Sequence, residues 1–349
     1  MRRLYVCKNG QFEDNPDVAQ IDQHLDDPER VTWLDIRREP TPEDVGILRD
    51  EFGFHPLAIE DALHVRHPAK VDVYGRALTL IDADDQAMTD NAAIVPTNRA
   101  GGEYYFMIVY TAHWDNERQR TALQPLSMFV GKNYIVTVHR GVLEDIEDTV
   151  RRWRSPDSPL GESVGALVHT LLDTVVDSYF PVLDRIADRL QRLEDAIFET
   201  FDEQLIKEIF RLKKDSLRIR RSLAPMRDIL NTLLRRDLPL FDTEDLAYFR
   251  DVYEHIVRHI ETIDIDRDLL SGVLDSFLSM QANRLNQIVK VLTVASIILM
   301  TATLVAGIYG MNFQHMPELR WQYGYAWAFG VMVALSLGLV AFFKRIRWI

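Results

Sequence analysis

Between Lys290 and Glu318 the chain carries no Asp, Glu, Lys or Arg, and a second such gap runs from Trp321 to Phe343. Residues 291–309 are 19 positions dominated by Val, Leu, Ile, Ala and Met. As a helix rising 1.5 Å per residue, that length matches the roughly 30 Å hydrocarbon core of a bilayer. Residues 325–343 are apolar enough to cross again, and Trp321, Tyr323, Tyr325 and Trp327 stand where an interfacial aromatic belt belongs. Core helices of soluble proteins seldom run so far without a charge, so the gaps imply two membrane spans. Arg284 and Lys290 precede the first span, Lys344, Arg345 and Arg347 follow the second, and the connecting loop holds only Glu318 and Arg320. By the positive-inside rule both termini are expected in the cytoplasm. The opening MRRLYVCKNGQFED has too short an apolar run for a signal peptide, so the large N-terminal part is expected on the cytoplasmic side of the cell membrane.

The other residues form something different. Of 349 residues, 53 are acidic and 40 basic, a net charge of −13, which argues against a nucleic-acid partner and favours cations. The single cysteine, Cys7, excludes an intramolecular disulfide and a cysteine zinc site. Residues 1–160 mix short β-branched and aromatic runs, Leu4 to Cys7, Val31 to Ile36, Tyr104 to Thr111, Leu126 to Val130 and Tyr134 to His139, with helix starts such as Thr41-Pro42-Glu43-Asp44. They read as an α/β domain. The stretch 76–102 reads as an excursion with no function assigned. Residues 161–290 are helical in period, with apolar positions at three-and-four spacing from Leu172 to Ile197 and a second helix over about 202–234.

Pro239 and Asp242 then mark a new start, and no proline follows until Pro317. A helix from Thr243 to Tyr309 would reach roughly 100 Å, more than a monomer can bury, and an uncapped pattern of this length implies a bundle of subunits. Stepping by four and three gives Asp275, Ser279, Ala282, Asn286, Val289, Thr293, Ser296, Met300, Thr303 and Gly307. This is the coiled-coil period, yet most members are polar or small. Polar groups at membrane depth normally face a bundle interior or a water-filled path. Close helix packing through small residues is the competing explanation; continuation of the seam below the membrane as Asn286 and Asp275 favours a pore.

Residues 237–275 hold eleven acids and only Arg250, Arg258 and Arg267 in opposition. A solvated charged face is the plain reading of such a run. His255 and His259 are an i,i+4 pair, but with no HExxH pattern they read as surface histidines. No Walker loop or dinucleotide glycine motif is present, so no catalytic residue is assigned and an enzyme is not expected.

After the first span come Tyr309-Gly310-Met311-Asn312-Phe313 and Met316-Pro317-Glu318-Leu319. This Gly-Met-Asn tripeptide at the outer end of the penultimate span resembles the CorA family of magnesium channels. The resemblance is strengthened by Tyr248-Phe249-Arg250-Asp251-Val252-Tyr253, by Lys290-Val291-Leu292-Thr293, and by Phe54-His55-Pro56-Leu57-Ala58-Ile59-Glu60-Asp61. It covers nearly the whole chain and departs at 76–102. It implies an α/β cytoplasmic domain (1–160), a helical region with the stalk of a long helix (161–290), and a pore span (291–309). An outer loop (310–324), a second span (325–343) and a basic tail (344–349) complete it, in a funnel-shaped homopentamer.

The resemblance further implies a selectivity filter of Gly310, Met311 and Asn312, with Asn286, Leu292, Met300, Thr303 and Gly307 along the pore and Glu318 attracting cations at the mouth. Magnesium sheds its water reluctantly, so a ring of amide oxygens can hold the hydrated ion without stripping it. Intracellular Mg2+ bound between subunits is implied to hold the pore closed, at positions matching Asp251, Asp173 and Asp115. The zinc-transporting branch of the same superfamily is the nearest rival, disfavoured by the Met316-Pro317-Glu318-Leu319 string and by the absence of His and Cys from the seam. A membrane-anchored ligand sensor is a rival of another class.

Overall fold

Alternation of side chains across strands gives the N-terminal sheet two apolar faces, and a helical layer covers each. The computed structural model of the protein describes residues 2–64, 67–75, 102–155, 163–199, 203–235, 240–312 and 316–348. Apart from Gly102, the 76–102 excursion lies outside the described residues. The described chain divides into two compact units, Met1–Ser271 and Gly272–Ile349.

In the first unit the strands are β1 (Arg2–Lys8), β2 (Gln11–Asp14), β3 (Val31–Ile36), β4 (Lys70–Tyr74), β5 (Tyr104–Asp115), β6 (Arg120–Val130) and β7 (Tyr134–Val138). They form one sheet in the order β2-β1-β3-β7-β6-β5-β4. Only β3 and β7 pair in parallel, with Trp33 opposite Ile135 and Asp35 opposite Thr137. The expected strands are all present, and the sheet adds β2 and β4 at its two edges.

The helices of this unit are α1 (Ile21–Leu25), α2 (Pro42–Gly46), α3 (Pro56–Leu63), α4 (Glu144–Trp153), α5 (Val164–Asp177), α6 (Phe180–Glu199) and α7 (Glu203–Leu234), with the first part of α8 (Thr243–Tyr309). One sheet face packs Leu34, Phe106, Phe129 and Val136 with Ile21, Phe52, Phe54 and Ile59. The other packs Trp33, Tyr105, Met128 and Ile135 with residues of α4 to α8, among them Trp153, Leu171, Ile229 and Phe249. Period-two alternation explains this division, since neighbours Trp33 and Leu34 enter different cores.

Local chemistry sets the helix starts. Thr41 Oγ1 accepts from the Asp44 amide at 3.4 Å while the Asp44 carboxylate accepts from the Thr41 amide at 2.7 Å, a reciprocal cap ahead of Pro42. The break expected at Pro181 falls between α5 and α6, with the proline in the first turn of α6, where a missing N–H costs nothing. At the sheet centre, Asp35 is fully buried and accepts from Arg37 at 2.6 Å, Thr137 at 2.7 Å and His139 at 3.0 Å. Burial alone would raise its pKa, yet these partners hold it below the ordinary carboxylate value.

The second unit contains the remainder of α8 and α9 (Gly324–Arg345). Both helices are long and apolar enough to cross a membrane. Their large side chains are open rather than packed, Leu299 at 68% exposure and Leu304 at 64%, which suits a lipid environment better than a soluble core.

Candidate functional site

The residues named from the sequence fall into two sets of side chains, one in each unit. In the first unit, Asp173 and Asp177 are one helical turn apart on α5 and so share a face. On α8 the same spacing relates Asp251 and His255. Ligand atoms of Asp173, Asp177 and His255 all lie within 4.8 Å of one another, and His255 Nε2 is 3.9 Å from the Asp251 carboxylate. Gly165 allows the start of α5 to approach α8: a Cβ there would stand 2.0 Å from Asp245 Oδ2, and Asp245 itself accepts from the Asp242 amide at 3.0 Å. A larger residue at 165 would displace the Asp245 carboxylate from this position.

Arg152 of α4 is the cation that this acidic corner already holds. It donates to Asp173 at 2.9 Å and lies 3.8 Å from Asp177. Burial, then the Asp173 charge, raises the Asp177 pKa, so that carboxyl is easier to protonate than an ordinary aspartate. His169, one turn before Asp173, packs on Tyr248 at 5.3 Å and is held below the usual histidine pKa by burial, although Asp173 and Asp251 oppose this.

His259 is not the surface histidine expected. It is 2% exposed, under the ring edge contact of Phe180 at 4.3 Å, and burial followed by the charge of His255 lowers its pKa to about 4. It therefore stays a neutral packing residue, while His255 turns toward the carboxylates.

Two carboxylates and an imidazole form a donor set for a divalent cation: hard oxygens suit Mg2+, and the nitrogen extends the range toward Co2+ and Ni2+. Among the described residues this is the group of three or more His, Cys, Asp or Glu close enough to share an ion. Asp115 is not in it. Its carboxylate accepts from the Glu117 and Arg118 amides at 3.0 and 2.9 Å, which tie it to its own turn and hold its pKa low. Asp177 was missed by sequence reasoning and His255 was considered only with His259, as a zinc pair set aside for surface histidines, although the i,i+4 partners of Asp173 and Asp251 were the signal that pointed to them.

In the second unit α8 ends at Tyr309, and the Gly310 and Met311 amides still donate to Ala306 and Ile308 at 2.9 and 3.3 Å. A Cβ on Gly310 would sit 3.2 Å from the Ala306 carbonyl, so glycine eases this tight helix end. Met311 and Asn312 follow, both exposed. Glu318 is exposed in the short turn Pro317–Arg320, whose backbone packs on α9: a Cβ on Gly324 would meet the Glu318 carbonyl at 2.2 Å. Trp321 lies 6.1 Å from Tyr323 and 6.2 Å from Trp327, a small aromatic cluster at the head of α9.

Along α8, Asn286, Leu292, Met300, Thr303 and Gly307 are all exposed, whereas Val294 and Val305 are buried. Most of this part of α8 is similarly open, with only 11% of its apolar stretch buried. Thr293 and Thr303 hydroxyls donate to the carbonyls of Val289 and Leu299 at 2.8 Å. That bond satisfies each hydroxyl proton and leaves oxygen lone pairs to face outward.

These features define a class of membrane protein: an acidic α/β domain whose last helix runs on as the first of two apolar helices. The chain belongs to the family of CorA-like Mg2+ transporter proteins, whose model matches residues 78–345. It is a family of transporters, not of enzymes. A cobalt/magnesium transport protein, CorA, of Thermotoga maritima is 30% identical over 325 residues, covering 93% of this chain and 85% of that protein. Among solved structures, the complete CorA magnesium transporter from Methanocaldococcus jannaschii shares the fold with a TM-score of 0.78 at 22% identity, covering 100% of this chain and 99% of that one. The ZntB cytoplasmic domain from Vibrio parahaemolyticus matches with a TM-score of 0.59 at 13% identity, over 80% of this chain and 98% of that one.

Proposed function

We propose that this chain is a channel for divalent cations, chiefly Mg2+ and with it Co2+ and Ni2+, built from five copies around α8 in the cell membrane, with both termini cytoplasmic. The observation that carries the proposal is the open polar seam of α8. Its members recur at the coiled-coil period and are mostly polar or small, groups for which lipid offers no partner, so in this reading further copies cover them. Family membership and the names of the relatives supply the ion: this is a CorA-like Mg2+ transporter family, and the Thermotoga protein carries cobalt and magnesium.

In this reading Gly310, Met311 and Asn312 from each copy ring the outer mouth. Asn312 presents neutral amide oxygens that hold Mg2+ through its water shell, and Glu318 raises the local cation concentration. Asn286 forms a second polar ring, while Leu292 and Met300 narrow the path and gate it by excluding water. Asp173 and Asp251, supported by Asp177 and His255, take up intracellular Mg2+ and hold the pore closed. Bound ion screens carboxylates that otherwise repel one another, and its loss loosens the subunit contacts. Asp115 stands apart from this group within the chain; its Oδ1 accepts from the Glu117 and Arg118 amides, and its Oδ2 has no amide partner among the described residues, so its part in the regulatory set is as a ligand between copies. Zinc transport is the second reading, and nothing on the seam favours it, since no His or Cys lies there.

Native mass spectrometry in mild detergent tests the assembly. The expected species has five times the 40.4 kDa chain mass; a stable monomer or dimer would defeat the proposal, because the seam would then have no partner.

A further inference from the structure

In a protein with a net charge of −13, one corner of the first unit gathers several arginines. The turn joining β5 and β6 meets α6 and α7 there. Arg185 and Arg189 of α6 place their guanidinium carbons 5.7 and 4.6 Å from the ring centre of Trp114, at the end of β5. Arg192 continues the same helix face, at i,i+3 from Arg189. Arg211 of α7 donates to the Arg118 carbonyl, and Arg118 is itself 68% exposed.

The partners of these arginines are mostly neutral. Arg185 donates to Asn116 Oδ1 at 3.0 Å, and Arg189 to the Gln119 side chain and, at 3.5 Å, to its carbonyl. Amide and carbonyl oxygens take individual N–H groups but cancel no charge, and each guanidinium has five N–H groups to give. Acidic residues stand among them, Asp184 and Asp188 on α6 and Glu117 before Arg118, but among the described residues the ion pairs of these arginines are no closer than 3.8 Å. Glu208 is 3.8 Å from Arg189, Asp115 lies 3.9 Å from Arg118 but is committed to its own turn, and Asp215 is 5% exposed. Burial raises the pKa of Asp215 and lowers that of Arg189, where the Glu208 charge opposes the fall and the charges of Arg211, Arg192 and Arg185 add to it. The cluster is thus in mutual repulsion.

Trp114 and the turn hold these forks in place, so their ordering entropy is already spent. We propose that Arg118, Arg185, Arg189, Arg192 and Arg211 form a binding site for a compact polyphosphate anion, a free di- or triphosphate group. Guanidinium forks match phosphate oxygens bidentately, and a single small anion of several charges neutralises the cluster. An extended polyanion would also have to run along the surrounding acidic surface. A phospholipid headgroup offers the same phosphate chemistry with less charge. The inference is independent of the ion-transport reading.

The test is isothermal titration of the full-length protein in mild detergent, in buffer stripped of divalent metal. Inorganic tripolyphosphate, inorganic phosphate and short-chain phosphatidylglycerol are the three probes. Saturable tripolyphosphate binding is expected at about one per chain, weakened at least about tenfold in Arg185→Gln/Arg189→Gln and less in the double lysine variant, which keeps charge but loses the fork. If the glutamine pair fails to assemble, the exposed Arg192→Gln and Arg211→Gln variants serve in its place and should each weaken binding severalfold. Absence of saturable binding, or binding unchanged in these variants, would overturn the proposal. Tighter binding of phosphatidylglycerol than of tripolyphosphate would overturn the free-anion assignment in favour of a lipid headgroup.

Discussion

Asn312→Ala should abolish magnesium flux, to less than about a tenth of the unmodified rate, while leaving the oligomer intact. Near the outer end of α8 the exposed polar side chain following the helix is Asn312, and Glu318 is the carboxylate of the connecting segment. If Glu318 were the filter, a ring of five charges would hold a divalent ion too tightly to release it quickly; neutral amide oxygens hold and release. Removing the amide leaves a methyl group that offers the hydrated ion nothing. Glu318→Gln should by contrast slow uptake only at low ionic strength, because its contribution is long-range attraction and salt screens it. Gly310→Ala should also impair flux, since its Cβ would crowd the Ala306 carbonyl at 3.2 Å and shift the turn that sets Asn312. Assembly is checked by native mass, and flux by an internal magnesium dye. An assembled Asn312→Ala protein conducting at the unmodified rate would remove the filter from the account.

The second large effect concerns closure. Asp251→Ala should move inhibition by internal Mg2+ to roughly tenfold higher concentration, in the usual range of allosteric coupling, without changing selectivity. Asp251 precedes Asn312 by about 60 residues, roughly 90 Å of helix, many Debye lengths beyond direct influence. Its effect must pass through a conformational equilibrium, which a ligand shifts only by its differential affinity for the two states. Asp173→Ala should act similarly, and the double variant should add little if both serve one ion, since ligands of one site are not independent. Protons compete with the ion for the same carboxylates. Because burial and the Asp173 charge raise the Asp177 pKa, it is protonated at a higher pH than an ordinary aspartate, so inhibition should weaken as pH falls, beginning above the pH at which an ordinary aspartate protonates. Inhibition curves for the variants that superimpose on the unmodified protein's would reduce Asp251 to part of a solvated charged face.

Much of the architecture was legible because its signals are local. The charge gaps after Lys290 and Trp321 specify two apolar helices without reference to any neighbour, and the absence of proline from 240 to 316 specifies α8. Thr41, Pro42 and Asp44 cap a helix by contacts three residues apart. Sheet order was not legible: β3 lies beside β7, about a hundred residues away, and nothing in either strand names the other. The edge strands β2 and β4 were missed for a different reason. Gln11–Asp14 is short and polar, and Lys70–Tyr74 is only half-buried throughout, so neither shows strong alternation.

The candidate site divides in the same way. Asp251 came from the Tyr248–Tyr253 string and Asp173 from a position matching the family, whereas the meeting of Asp173 and Asp177 with His255 depends on how α5 and α8 pack. His259 looked like the twin of His255 on one helix face. Phe180, placed by the break at Pro181, covers one histidine more than the other, lying 4.3 Å from His259 and 6.3 Å from His255.

The central claim, that this chain alone conducts magnesium, is tested most directly in liposomes containing only the purified protein, loaded with a magnesium-sensitive dye and with internal Mg2+ removed so that the pore is open. On adding external Mg2+ the account predicts rapid, saturable dye response, faster than in protein-free vesicles and lost in Asn312→Ala. A fully assembled protein whose vesicles respond no faster than protein-free ones would contradict it.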